Sequence, residues 1–145
     1  MRRTLRVVLD TSTVVSGLIG GISTEVIDLL QEGAFQAIIS EEILQEYAEV
    51  LRRPRFGFPS GVVADILNFF ATQSIRVTPR TPVSVVTEDP DDNKFLEAAI
   101  AGQADSILSG DYHLLRLGTF EGIPIMGPRQ FLQWIRSEPQ KGETS

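Results

Sequence analysis

The chain has 145 residues, 42 % of them hydrophobic, and a formal net charge of −6. That length suits one domain with a single core, and the charge has the wrong sign for a protein that coats nucleic acid by neutralising phosphates. There is no cysteine, which excludes disulfides, thiolate metal sites and cysteine nucleophiles. No run approaches the roughly 18 apolar residues of a membrane-crossing helix, and the apolar run after the basic start stops at Asp10, too early for a signal peptide. A cytoplasmic location is expected.

Residues 5–9 (LRVVL) form a short β-branched run ending before an acid, the pattern of a buried strand. Residues 11–21 (TSTVVSGLIGG) read as a small polar turn and an interrupted helix start. The helix itself is expected over about 23–32, with Ser23 or Thr24 as N-cap and Gly33 as stop. FQAIIS at 35–40 is a second buried strand. Ser40 opens the capping pattern SEEILQEYAEVLRR, with acids in the first turn and arginines in the last, and Pro54 ends that helix. A further helix covers about 60–73, and SIRVTP at 74–79 is a third strand.

Residues 80–90 read as a proline-bearing connection. DDNKFLEAAIAGQ is a helix starting near Asp91 or Asp92, and ADSILSGD is a strand running to Asp111. HLLRLGTFEG is a short helical or turn segment, IPIMG a last strand, and PRQFLQWIRS a last helix with Pro128 in its first turn. The polar tail 137–145 is expected to be disordered. Alternation of helices with short apolar strands predicts an α/β fold: a three-layer α/β/α sandwich with a central parallel sheet, forming one domain over 1–136.

Asp10, Asp111 and the segment after Ile38 and Ile39 lie at carboxyl ends of predicted strands, where open α/β sheets place their ligand crevice. Glu46 follows from helix geometry. At about 100° per residue, Ile43, Leu44, Tyr47, Val50 and Leu51 form one apolar arc, and Glu46 lies roughly 40° beyond its edge, where a carboxylate can lean over the core. Glu42 and Glu49 fall further round and should be solvated. Asp92 sits in a helix first turn beside Asp89 and Asp91, a position that acids also take with no function beyond favouring the helix start. Asp10 and Asp111 could likewise be ordinary turn formers.

Taken together, carboxylates gathered at one end of a sheet repel one another unless cations neutralise them. Oxygen-only ligands favour Mg²⁺ or Mn²⁺ over zinc, and such ions can activate water and stabilise a phosphoryl leaving group. Ser12, Thr13 and Ser109 lie beside these acids and could orient a carboxylate or bind phosphate. Arg52, Arg53 and Arg55 are the densest basic cluster. They suit an RNA backbone, and equally a helix C-terminus. His113 invites a general-base role, but a lone histidine is more often structural. Phe131 and Trp134, at i and i+3, fit core or subunit packing better than base stacking.

These motifs resemble a known family. VVLDTSTVVSGL is similar to the opening motif of PIN domains, a strand, an Asp and a small polar pair. ISEEILQEYAEVLRRPRF resembles the second motif with its helical Glu, and DPDDNKFLEAAIAGQADSILSGDYHLL the third and fourth joined. The likeness runs from about residue 5 to 133 and points to the VapC-like toxin branch of toxin–antitoxin systems. It implies a Mg²⁺- or Mn²⁺-dependent endoribonuclease acting on single-stranded RNA, with Asp10, Glu46, Asp92 and Asp111 as catalytic and metal-holding quartet. Asp89, Ser12 and Ser109 are secondary members. It also implies a homodimer or higher oligomer and a cognate antitoxin. Relatives often carry Asn where this chain has Ser12, a shorter group with one donor. The alternatives are a non-catalytic PIN-like module that binds RNA or protein, and an aspartyl-phosphate phosphohydrolase with Asp10 as nucleophile. The latter usually needs a second Asp where Ser12 stands.

Overall fold

The computed structural model describes residues 4–84 and 90–137. The chain runs β1 (Arg6–Leu9), α1 (Thr11–Ile19), α2 (Ile22–Gln31), β2 (Gln36–Ile39), α3 (Glu41–Leu51), α4 (Ser60–Gln73), β3 (Ile75–Arg76), α5 (Asn93–Gly102), β4 (Ser106–Leu108), α6 (Tyr112–Leu115), β5 (Thr119–Phe120), β6 (Ile123–Met126) and α7 (Pro128–Ser137). Short 3₁₀ turns occupy Pro54–Phe56 and Pro90–Asp92.

Val7, Val8 and Leu9 of β1, Ala37, Ile38 and Ile39 of β2, and Ile107 and Leu108 of β4 are all buried. Strands apolar on both faces must be covered on both. They form the middle of a six-stranded sheet ordered β3-β2-β1-β4-β6-β5, flanked by helices in the three-layer arrangement the alternation predicts. From β1 the chain moves outward through β2 to β3, then returns across the sheet to β4. The boundary between β1 and β4 is therefore the switch point, where the connections leave in opposite directions and a crevice opens at the strands' carboxyl ends. Parallel register sets Leu9 beside Leu108, and the Asp10 amide donates to the Leu108 carbonyl at 3.0 Å. The residues following these two strands thus emerge side by side.

The sheet is parallel except at one edge, where β5 pairs antiparallel with β6. The sequence places these residues in a helical or turn segment. A two-residue strand between Gly118 and a turn at Glu121 and Gly122 is too short to show alternation. The third strand is likewise shorter than 74–79, holding only Ile75 and Arg76.

A larger correction concerns residues 11–21. They are not a turn leading to a helix start: α1 begins at Thr11, capped by the Asp10 carboxylate, which accepts from the Thr13 amide at 2.9 Å. Val14 and Val15 bury this helix. Nor do Ser23 or Thr24 cap α2. Gly21, at φ 86°, takes the N-cap position, a conformation that suits glycine. The Thr24 hydroxyl donates instead to the Gly17 carbonyl at 2.8 Å and ties the two helices together. Phe131, predicted as a packing residue, is buried edge-on against Phe35 and carries Trp134 on its other side. Asp89 and the tail beyond Ser137 lie outside the described residues. Among the described residues, no single helix is long and apolar enough to cross a membrane.

The α1–α2 junction yields a sign test. A Cβ on Gly17 would lie 2.3 Å from Ile27 Cγ1 and 3.1 Å from the Ser23 carbonyl oxygen. Helix propensity alone favours Gly17→Ala by about 1 kcal/mol, whereas overpacking of a close helix contact costs about 1–3 kcal/mol. Denaturant unfolding is expected to show net destabilisation; a more stable variant would contradict the packing described.

Candidate active site

The switch point brings the predicted acids to one place. Asp10 follows β1 directly, Asp111 follows β4 by a short turn, Glu46 stands on α3 after β2, and Asp92 closes the 3₁₀ turn that leads into α5. All four line a single cavity of about 320 Å³. Thr11, Ser12 and Ser16 add hydroxyls to its wall, Val15, Val50, Phe56 and Phe95 an apolar side, and Arg55 a cation.

Asp10 is the most constrained of the four, with 3 % of its surface exposed. Its Oδ1 accepts from the Thr13 amide at 2.9 Å, the Thr13 hydroxyl at 2.8 Å and the Ser12 hydroxyl at 2.9 Å. Its Oδ2 accepts from the Ser109 hydroxyl at 2.5 Å. Burial nonetheless raises the Asp10 pKa, because these hydrogen bonds, Ser109 foremost, only partly offset desolvation. Ser109 also accepts from the Asp111 amide at 2.9 Å, so one buried hydroxyl joins the two acids across the strand junction. Asp111 in turn caps α6, its Oδ1 accepting from the His113 amide at 2.8 Å.

Glu46 is held from two sides. Its Oε1 accepts from Lys94 Nζ and its Oε2 from the Thr11 hydroxyl. One turn face inward, Tyr47 is buried, and its hydroxyl donates to the Leu9 carbonyl at 2.5 Å. Burial first, then the charges of Asp10 and Glu46, pushes its pKa well up, which keeps it a neutral donor. Asp92 places its Oδ2 in buried space.

Of the predicted basic cluster only Arg55 lines the cavity, its guanidinium 4.8 Å from the Phe56 ring centre. Arg52 borders a separate hollow with Phe58 and Val63, and Arg53 pairs with Glu49 on the surface at 3.4 Å. Proline at 54 turns the chain between them, so three arginines adjacent in sequence do not share a surface. His113 does not line the cavity; its ring lies against Tyr112. Lys94 and Thr11 were not singled out by the sequence. A lysine at a helix start and a threonine after the first Asp carry no signal of their own until the partner carboxylate is located.

The donor set consists of carboxylate and hydroxyl oxygens, which suits Mg²⁺ or Mn²⁺ by type. A nearby cation would also offset the desolvation that burdens Asp10. Among the described residues, no group of three or more acidic or histidine side chains is drawn together to hold an ion as it stands. The cavity collects the carboxylates, while their oxygens are turned to protein donors.

Because burial raises the Asp10 pKa, the folded chain keeps that proton to higher pH than the unfolded chain. This contribution to stability is full below the unfolded value and is lost as pH rises through the raised folded value. Asp10→Asn should therefore stabilise the metal-free protein at neutral pH, by about 1 kcal/mol, as relief of a strained active-site group commonly does. The advantage should shrink as pH falls into the carboxylate range. Thermal melts in EDTA across pH check this, and a variant less stable at every pH would contradict it.

No curated protein matches the chain. Among solved structures, the crystal structure of PAE2754 from Pyrobaculum aerophilum is similar, with a TM-score of 0.61 over 92 % of this chain and 91 % of that one, at 14 % sequence identity; the likeness is one of fold. Residues 6–113 match the PIN domain, typically a nuclease fold, and the chain belongs to that family.

Proposed function

We propose that the chain is a metal-dependent endoribonuclease that hydrolyses phosphodiester bonds of single-stranded RNA. The observation that carries this reading is the convergence of Asp10, Glu46, Asp92 and Asp111 on one cavity at the switch point of the sheet. These acids arrive from four separate elements. Turn formers and helix-start acids, which each could be alone, have no reason to share a cavity.

Asp10, Asp92 and Asp111, with Glu46 beside them, are the groups that would hold Mg²⁺ or Mn²⁺. When bound, such an ion supplies water activation and charge stabilisation at a phosphoryl group. The chain's own residues do the rest. Ser109 and Thr13 fix the direction of the Asp10 carboxylate. Lys94 and Thr11 fix Glu46. Val15, Val50, Phe56 and Phe95 exclude water from one wall, which strengthens the electrostatics inside. Arg55 gives the acidic cavity a cation at hand for a phosphate, which supports a nucleic-acid substrate despite the net charge of −6.

A covalent aspartyl-phosphate route is poorly supported. Asp10 is 3 % exposed, and both of its oxygens accept hydrogen bonds from the chain, an arrangement that hinders it as a nucleophile. The presence of all four acids on the cavity favours a catalyst over a binding module. The resemblance to VapC-like proteins extends the proposal: the enzyme is the toxin of a toxin–antitoxin pair, acts as a homo-oligomer, and is blocked by an antitoxin covering the cavity.

Purified protein should cleave single-stranded RNA with Mg²⁺ or Mn²⁺ and fall silent in excess EDTA. Asp10→Asn and Asp111→Asn should each lower the rate at least about 100-fold, and Ser109→Ala by about 10–100-fold, as loss of a group that orients a ligand does. Cleavage that persists in EDTA, or an unaffected Asp111→Asn enzyme, would rule the reading out.

A further inference from the structure

We propose that Lys94 is the built-in cation of the acidic cavity. It holds Glu46 as its counter-ion, so that the site takes a single divalent ion on Asp10, Asp92 and Asp111. This rests on the metal-dependent reading above and adds the number of ions and the division of labour among the four acids.

Lys94 stands on α5, two residues after Asp92, and its side chain is 14 % exposed. It lines a neighbouring hollow of about 410 Å³ together with Glu42, Asp91 and Glu97. Glu42 and Asp91 are exposed acids on that hollow, where a lysine would be solvated at little cost. The ammonium is instead bonded to Glu46, whose side chain is 22 % exposed and which lines the acidic cavity. The lysine therefore reaches past solvent-side carboxylates to a more buried one. The Phe95 ring of the cavity wall lies 5.9 Å from the same ammonium.

The second oxygen of Glu46 accepts from the Thr11 hydroxyl. Both oxygens of this carboxylate are thus engaged by the chain, one by a full positive charge. In sites that hold two ions about 3.5–4 Å apart, carboxylates must serve both. Recruiting Glu46 to a second ion would break a part-buried ion pair and leave an ammonium uncompensated, a costly arrangement. Adding the ion without breaking the pair would set two cations side by side, which is disfavoured for the same reason that like charges shift one another's ionisation. With Glu46 matched to Lys94, the three aspartates remain for one divalent ion. The ammonium then supplies, at fixed position, positive charge that a second ion would otherwise bring. Lys94 is in this account a positioning residue acting through Glu46.

Calorimetric titration of the full chain with MnCl₂ tests the proposal without reference to catalysis. One Mn²⁺ per chain is expected for the wild type and for Lys94→Arg, which keeps the cation, and two for Lys94→Met, which frees Glu46. Two ions on the wild type would overturn the proposal, as would one ion on Lys94→Met at unchanged affinity. If Lys94→Met fails to fold, Glu46→Gln decides instead: it should still bind one ion, and loss of binding would show Glu46 to be a ligand. A wild type that binds no Mn²⁺ would overturn the metal-dependent reading itself, and this proposal with it; the wild-type stoichiometry alone tells the two failures apart.

Discussion

A carboxylate placed directly after a central parallel strand cannot stay in water, and Asp10 is 3 % exposed. Its charge must be met by donors, and the fold supplies them from both sides of one strand junction. Thr13 and Ser12 come from the helix that Asp10 itself caps, and Ser109 comes from the end of β4. The Asp10–Ser109 contact exists only because parallel register sets Leu9 against Leu108. Local capping and long-range strand pairing are thereby satisfied by the same side chain. A disturbance at this point would be felt in α1, in the sheet and in the cavity together.

The remaining acids follow from that anchor. Ser109 hands the constraint on to Asp111 through its amide, and Asp111 caps α6. Each of these carboxylates has a structural duty that a turn or cap could also perform, and each also faces the cavity. The hydrogen bonds lessen the desolvation of Asp10 without cancelling it. The site is thus built in a state that a cation improves, the electrostatic condition expected of a metal-assisted hydrolase. Membership of the PIN domain family agrees with the chemistry of the cavity, and the cavity indicates which side chains of this chain would carry it.

Much of this was legible in the sequence, for identifiable reasons. Buried strands with β-branched runs declare their ends, so Asp10 and Asp111 could be placed at the crevice from pattern alone. Glu46 could be placed because the apolar arc of α3 is well defined, and its members Ile43, Tyr47 and Leu51 are buried as that arc requires. What failed were features whose signal is not local. The α1 helix was hidden because its first turn is Thr-Ser-Thr, residues that compete with a helix by bonding to nearby backbone; here Asp10 and the packing of Val14 and Val15 decide the matter. The β5 strand exists only by pairing with β6. Arg52 and Arg53 were grouped with Arg55 by adjacency, and the turn at Pro54 separates them. Lys94 has meaning only beside Glu46, which lies 48 positions away.

The central claim is that the acids at the junction of β1 and β4 form a metal centre, and diffraction tests it most directly. Crystals soaked in Mn²⁺ should show an anomalous peak in the cavity, within coordinating distance of the Asp10, Asp92 and Asp111 carboxylates. A well-soaked crystal with no peak there, or with its only manganese elsewhere on the surface, would contradict the account.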